Sequence, residues 1–474
     1  MTATEVDAGW ETVIGLEVHC ELATATKLFC GCRNAFGDEP NTNTCPVCLG
    51  LPGSLPVLNR AAVELAMRLG LALGCTVQPS IFHRKNYFYP DMPKDYQVSQ
   101  YDLPINTDGR LVLPDGTVAG IERAHLEEDT GKSTHVGGGG RIHEADHSLI
   151  DYNRAGVPLV EIVGRPDLGS AEAAKAYVGE LRAVLLATGV SDARMEEGSM
   201  RVDANVSVRR TGEALGTRCE VKNLNSTRSL ARAIDHEAVR QRALIEAGER
   251  VVQQTRHWDE ATGRTSALRS KEEAYDYRYF PEPDLVPVEP DDAWQEAVRA
   301  VLPVLPAQRR HLLATATGAS GPAAAVIVDR GLDDLVLAAL AAGGDPARLL
   351  THAEHDLAGA ATGLDPGALA RLTALEVDGA LTATQAKDVL AELVASGGDP
   401  AEIAKARGYE AMAGDELATL VDDAIAANAD AWAKFCAGDA KVTGFFVGAV
   451  MKATRGQADG RAVTALLEER RSGA

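Results

Sequence analysis

The run His125-Leu126-Glu127-Glu128-Asp129-Thr130-Gly131-Lys132-Ser133-Thr134-His135 sets three consecutive acids directly before a Gly-Lys-Ser triplet. A Walker A loop needs a glycine five residues before its Gly-Lys, and Leu126 stands there, so this is not a P-loop. Clustered carboxylates can still reach phosphate oxygens through Mg²⁺, a hard ion that takes oxygen ligands and neutralises charge on both sides. The plain competitor is a solvated acidic turn.

Strands must position such a cluster, and three stretches alternate as strands do. In Val13 to Leu22 the even residues Ile14, Leu16, Val18, Cys20 and Leu22 are apolar, and Glu17, His19 and Glu21 stand between them. Arg201 to Arg209 repeats the pattern with Arg201, Asp203 and Asn205 on the polar parity, and Thr217 to Asn223 places Arg218, Glu220 and Lys222 together. One polar face per strand is what any antiparallel sheet shows to water. Three faces this rich in Glu, His, Asp, Asn and Arg suggest instead an open sheet lined with ligands.

The runs VIGLEVHCEL, FHRKNYFYPDMPKDYQVSQ, HLEEDTGKSTH, DYNRAGVPLVEIV, MEEGSMRVDANVSVR, EVKNLNS and DYRYFPEPDL closely resemble the B subunits of bacterial tRNA-dependent amidotransferases, in order and over essentially the whole chain. The resemblance implies an α+β protein. Its N-terminal catalytic domain would carry an antiparallel sheet of glutamine synthetase or guanidino kinase type, followed by an all-α domain and a small helical tail that contacts tRNA. It also implies ATP-dependent phosphorylation of the side-chain carboxylate of misacylated Glu-tRNA(Gln) or Asp-tRNA(Asn). Ammonia, released from glutamine by the amidase of the complex, its A subunit, and passed through an internal channel, would displace the phosphate. A small C subunit would clamp the two larger chains. On this reading Glu17, His19, Glu127 and Glu128 hold Mg²⁺, and Glu161 lines the site. Arg84, Lys85, Arg154, Arg201 and Lys222, with Asp203, contact ATP, phosphates or the substrate carboxylate. Ion pairing with neighbouring acids is the competing role for each of these cations.

Composition sets the class. At 474 residues, with 45% hydrophobic and 24% charged content, the chain reads as an ordinary globular protein of two or three domains. No signal peptide precedes Trp10 and no apolar run would span a bilayer, which predicts a cytoplasmic protein. A net charge of −21 argues against a general nucleic-acid coat, so any tRNA contact must use local basic surface. Of the eight cysteines, Cys30, Cys32, Cys45 and Cys48 form two tight pairs joined by a short loop. That spacing suits a structural Zn²⁺ held by four thiolates, although the resembled family includes members without it. Cys20, Cys75, Cys219 and Cys436 read as packing residues.

The proline cluster of residues 281–287 predicts a first domain over 1–292, a helical domain over 293–404 and a tail over 405–474. Gly137 to Gly140 reads as a hairpin tip. Ala386, Val389, Leu390, Leu393 and Val394 form one helical stripe, stopped by Gly397-Gly398-Asp399-Pro400, and Leu417, Leu420, Val421, Ala424 and Ile425 form another. Gly444 and Gly448 lie four apart and would admit a close neighbour. After residue 440 six Lys or Arg stand against three acids, and Lys452 and Arg455 are the residues expected to meet tRNA; a solvated helix end reads equally well from the residues alone. No amidase serine signature and no Cys-His pair is evident, so ammonia must come from a partner. Two rival readings stay open, a free-standing carboxylate–ammonia ligase and a non-catalytic tRNA adaptor.

Overall fold

The computed structural model describes residues 9–137, 145–268, 277–357, 363–409, 414–437, 439, 442–454, 458 and 460–472. Gly138 to Gly140 and Arg455 lie outside them. The chain forms two compact units, Met1–Ala307 and Gln308–Ala474.

In chain order the strands of the first unit are β1 (Trp10–Glu21), β2 (Thr76–Val77), β3 (His83–Asn86), β4 (Tyr96–Ser99), β5 (Asn106–Val112), β6 (Val118–Glu128), β7 (Lys132–Val136), β8 (His147–Asp151), β9 (Pro158–Gly164), β10 (Met200–Arg210), β11 (Cys219–Leu224), β12 (Thr255–Asp259), β13 (Arg264–Ala267) and β14 (Phe280–Pro281). Ten of them lie side by side in the order β13-β12-β11-β10-β1-β9-β6-β4-β3-β14, with β5 also pairing β6 and carrying β2. β7 and β8 form a separate hairpin. The sheet is antiparallel, as expected, at every pairing but one among the described residues: β11 and β12 run parallel, which makes the sheet mixed. The crossover is α3 (Thr227–Glu246), long enough to return the chain to the same end of the sheet.

The alternation read from the sequence decides which face is dry. Ile14, Leu16, Val18 and Cys20 of β1, Val160 and Ile162 of β9, Ala124 and Leu126 of β6, and Val202, Ala204 and Val206 of β10 all enter one buried cluster. The helices α1 (Arg60–Ala72), α2 (Ala171–Thr188) and α3 pack their apolar faces into that cluster. Each of the three starts at a capping side chain, from Asn59, Ser170 and Ser226, which accepts a bond from a first-turn amide. A further helix, α4 (Asp292–Arg299), belongs to the same core: Val298 is buried there and Trp294 Nε1 donates to Glu64 Oε1 at 2.9 Å. The first unit's helical layer thus runs past the proline cluster.

The second unit is helical. One core gathers residues from Leu313 to Ala404, and a second, from Leu417 to Leu467, lies in the tail. The helix Ala383–Ser396 buries Ala386, Val389, Leu390 and Leu393 and ends at Gly397, but Val394 is 44% exposed, at the margin of its stripe. Around Gly444 and Gly448 no neighbour comes close among the described residues, so the room they leave for one is not used there. Cys436 is exposed, not packed. No described helix is long and apolar enough to cross a membrane.

One contact fixes α1 on the back of β6. Asn106, wholly buried, donates from Nδ2 to Ala66 O at 3.0 Å on the helix and to Ala124 O at 3.1 Å on the strand. Gly70 makes room for it, because a Cβ there would lie 1.9 Å from Asn106 Oδ1. Gly70→Ala would gain helix propensity of ~1 kcal/mol but forces the anchored amide aside, so we expect a net loss of roughly 1–2 kcal/mol. Urea or thermal unfolding measures it, and an unchanged midpoint would refute the contact.

Candidate functional site

Residues directly opposed across neighbouring strands project to the same side of a sheet. Arg201 opposes His19, His19 opposes Glu161, and Glu161 opposes His125, a single row across β10, β1, β9 and β6. Flanking rows bring Asp203 opposite Glu17, and Glu127 opposite Ser99. The three closest groups are His19, Glu127 and Glu161, whose donor atoms lie within 4.8 Å of one another. His19 Nε2 is 3.6 Å from Glu127 Oε1 and 3.8 Å from Glu161 Oε2, and His125 Nε2 is 3.3 Å from Glu161 Oε2.

Glu127 is buried and Glu161 nearly so, and two carboxylates this close resist ionising together without a compensating cation. Burial, and then the Glu161 charge, pushes Glu127 above the usual carboxylate range. Burial also opposes ionisation of Glu161, but the neighbouring imidazoles of His125 and His19 hold it below that range. One imidazole and two carboxylates are a donor set for a divalent cation, and an ion there would let both acids ionise. The residues therefore fit the metal expected from the sequence, and Glu161, expected to line the site, has the position to offer it a third ligand atom.

Parity sorts the remaining residues. Glu17 shares the polar face but accepts from Asn205 Nδ2 at 2.8 Å. Asp129 takes Arg201 at 2.9 Å and Arg154 at 3.5 Å, and Arg154 also donates to the carbonyls of Thr130 and Gly131. Lys222 lies between Asp203 and Glu220. Lys85 stands over the Tyr277 ring at 4.7 Å. Two residues expected in the site are on the opposite face. Glu128 is buried against Lys94 and accepts from Val98 N at 2.8 Å, and Arg84 is locked to Glu282 at 2.6 Å and Asp284 at 3.3 Å. Each is one residue out of step with its neighbour in the row, Glu127 or Lys85, and a strand reverses sides at every residue. Glu128, Lys94, Cys48 and the two acids that hold Arg84 border a cavity of about 70 Å³. Of the residues on this face, His125 was not singled out from the sequence and Asp129 was read only as part of the acidic run, although both share parity with Glu127.

Residues 12–296 match the GatB/GatE catalytic domain family, and residues 343–470 match the GatB domain family. The chain belongs to the amidotransferase B-subunit family. It is 52% identical to the B subunit of the aspartyl/glutamyl-tRNA(Asn/Gln) amidotransferase of Salinispora arenicola, over 98% of this chain and 97% of that one. It is also 52% identical to the B subunit from Frankia casuarinae, over 98% and 97%, and 50% identical to that from Thermobifida fusca, over 99% and 95%. The catalytic-domain match ends inside α4, in keeping with that helix's place in the first core.

This B-subunit family member also gathers its four paired cysteines. The sulfurs of Cys30, Cys32, Cys45 and Cys48 lie within 4.8 Å of one another, with Cys45 and Cys48 3.9 Å apart. Four thiolates at about 2.3 Å from zinc form a tetrahedron with edges of about 3.8 Å, so the set fits the ion. The thiols are strongly unequal without one. A hydrogen bond from Cys30 holds Cys48 down to about 5, the same bond pushes Cys30 far up, and burial raises Cys32 to about 11. We expect about one Zn²⁺ per chain, bound through four sulfurs, in protein purified without added metal. Cys45→Ser with Cys48→Ser should destabilise the first unit and release the ion. Four freely titrating thiols and no metal would refute the site.

Proposed function

We propose that this chain is the ATP-using subunit of a tRNA-dependent amidotransferase. It would activate the side-chain carboxylate of Glu-tRNA(Gln), Asp-tRNA(Asn) or both, for amidation by ammonia drawn from glutamine in a partner protein. The observation that carries the reading is the convergence of His19, Glu127 and Glu161 from three strands, on a face that also bears Arg201, Lys85 and Lys222.

The chemistry explains why such a face is needed. A free carboxylate does not exchange oxide for ammonia. Transfer of the γ-phosphoryl of ATP to it yields an acyl phosphate, whose phosphate is a good leaving group. The attacking nitrogen then loses a proton as the amide forms. Phosphoryl transfer depends on in-line placement and charge neutralisation more than on a nucleophilic side chain. A Mg²⁺ held by His19, Glu127 and Glu161 would polarise the transferring phosphoryl group. Glu17, two residues before His19 and facing the same way, would take part through its carboxylate or by orienting Asn205. Arg201 and Lys222 now neutralise Asp129, Asp203 and Glu220; both would swing or share their charge with a polyphosphate. Lys85 would approach from the β3 side.

The domain roles follow the same reading. The first unit supplies the chemistry, with zinc bracing its N-terminal loops, and the module from about residue 405 binds tRNA. Lys452 is exposed at the end of the helix Thr443–Ala453, as a phosphate contact requires, while Arg470 is engaged with Asp422 and Arg471 with Glu468. An amidase, the A subunit, and a small C subunit complete the enzyme. Membership in a B-subunit family argues against a free-standing ligase, and the ligand cluster argues against a bare adaptor.

In the reconstituted three-subunit enzyme, ATP hydrolysis should depend on misacylated tRNA. Glu127→Gln should cut amidation by two or more orders of magnitude, a loss of about 3 kcal/mol of transition-state stabilisation. Glutamine hydrolysis by the partner should persist at a basal rate. Amidation near the wild-type rate would remove Glu127 from the site.

A further inference from the structure

The polar face does not end at Glu127. Its row continues through Ser99 on β4 to His83 on β3, and there the surface turns from charged to aromatic. Tyr101, two residues beyond Ser99, stacks on Tyr279 with centroids 4.1 Å apart and planes 7° from parallel. It meets the His83 ring edge-on at 6.1 Å, and Tyr277 stands T-shaped to Tyr279 at 6.1 Å beside the Lys85 ammonium. β14 holds this assembly in place, because Phe280 and Pro281 pair with Arg84 and His83. Tyr101 is nonetheless 47% exposed. A rigid, backed ring offered to solvent beside a ligand cluster is the kind of surface on which nucleobases stack.

The platform and the cluster share one neighbourhood. Burial, and then the charges of Glu127 and Glu161, push the Tyr279 hydroxyl up, and Lys85 acts on both acids. The two ends of the face differ in what they can hold. Arg201 and Lys222 lie on β10 and β11, beyond His19 and Glu161 as counted from the tyrosines, and a triphosphate belongs with those cations. The aromatic end is left for the other substrate, whose reacting carboxylate is tethered by an ester to an adenosine.

We propose that Tyr101, backed by Tyr279, stacks the 3′-terminal adenosine of the misacylated tRNA. The aminoacyl side chain then extends from that adenosine toward His19, Glu127 and Glu161, with the Lys85 ammonium over the Tyr277 ring as a nearby positive charge. The proposal rests on the function read above, since it takes the tRNA-borne carboxylate as substrate.

In the assembled enzyme, Tyr101→Ala should raise KM for misacylated tRNA roughly tenfold while KM for ATP moves little, and Tyr101→Trp, which keeps a stacking face, should stay within about twofold of wild type. An amide-linked glutamyl-adenosine, the bare 3′ end, should bind the wild type in equilibrium dialysis and bind Tyr101→Ala correspondingly less. If Tyr101→Ala does not fold, Tyr101→Leu decides, because it keeps volume without a π face and should show the same loss. A rise in KM for ATP with that for tRNA unmoved would assign the platform to the nucleotide and overturn the proposal. Unchanged constants for both substrates, or a Tyr101→Trp enzyme as impaired as Tyr101→Ala, would overturn it too. If wild-type ATP hydrolysis ignores tRNA, the proposed function itself fails, whereas the dialysis result bears on the platform without any turnover.

Discussion

Glu127 and Glu161 share the His19 imidazole at the wet face of a sheet whose other face is dry. Each carboxylate is buried or nearly so, and neither has a lysine or arginine in contact among the described residues. In that setting the energy of the pair depends on what cation reaches it. The rest of the first unit serves to keep the pair close. Four strands hold the row Arg201, His19, Glu161 and His125 at fixed spacing, and the helices behind them exclude water from the even parity. Asn106 ties the nearest helix to β6, so the strand bearing His125 and Glu127 cannot shift without disturbing the core.

The same alternation builds a second, different polar group on the back of the sheet. Glu128 and Arg84 carry charges, yet both find partners within the fold, the half-buried Lys94 and the buried Glu282. Acids one residue apart on β6 therefore have opposite fates. Glu127 faces imidazoles that a ligand can engage, and Glu128 is already satisfied. The Glu128–Lys94 pair ties the end of β6 to the connection between β3 and β4, and removing one partner would leave a buried charge alone.

Much of this was legible in the chain. The parity of Glu17, His19 and Glu21 against Ile14, Leu16 and Val18 was visible, as was that of β10, because a strand buried on one side must alternate. The paired cysteines gave away their cluster through local spacing. What the residues did not reveal was register. Glu161 sits in a run, Pro158 to Gly164, that is almost wholly apolar, so only its position opposite His19 marks it as a candidate ligand. The Glu127-Glu128-Asp129 run invited reading as one cluster, although a strand cannot point adjacent residues the same way. Arg84 and Lys85 posed the same trap. The partner of Arg84, Glu282, is nearly two hundred positions away, beyond the reach of any local pattern. The parallel β11–β12 pair was hidden for a similar reason, since a long crossover helix looks the same from either strand.

The division of one strand end into a ligand and a core acid is open to direct measurement by Mn²⁺ binding followed by electron paramagnetic resonance, with Mn²⁺ standing in for Mg²⁺. The folded wild type should bind the ion with a nitrogen coupling from one imidazole. Glu127→Gln and Glu161→Gln should weaken that binding, His19→Ala should abolish the coupling, and Glu128→Gln should retain both. Binding kept in Glu127→Gln but lost in a folded Glu128→Gln protein would contradict the assignment of the two faces.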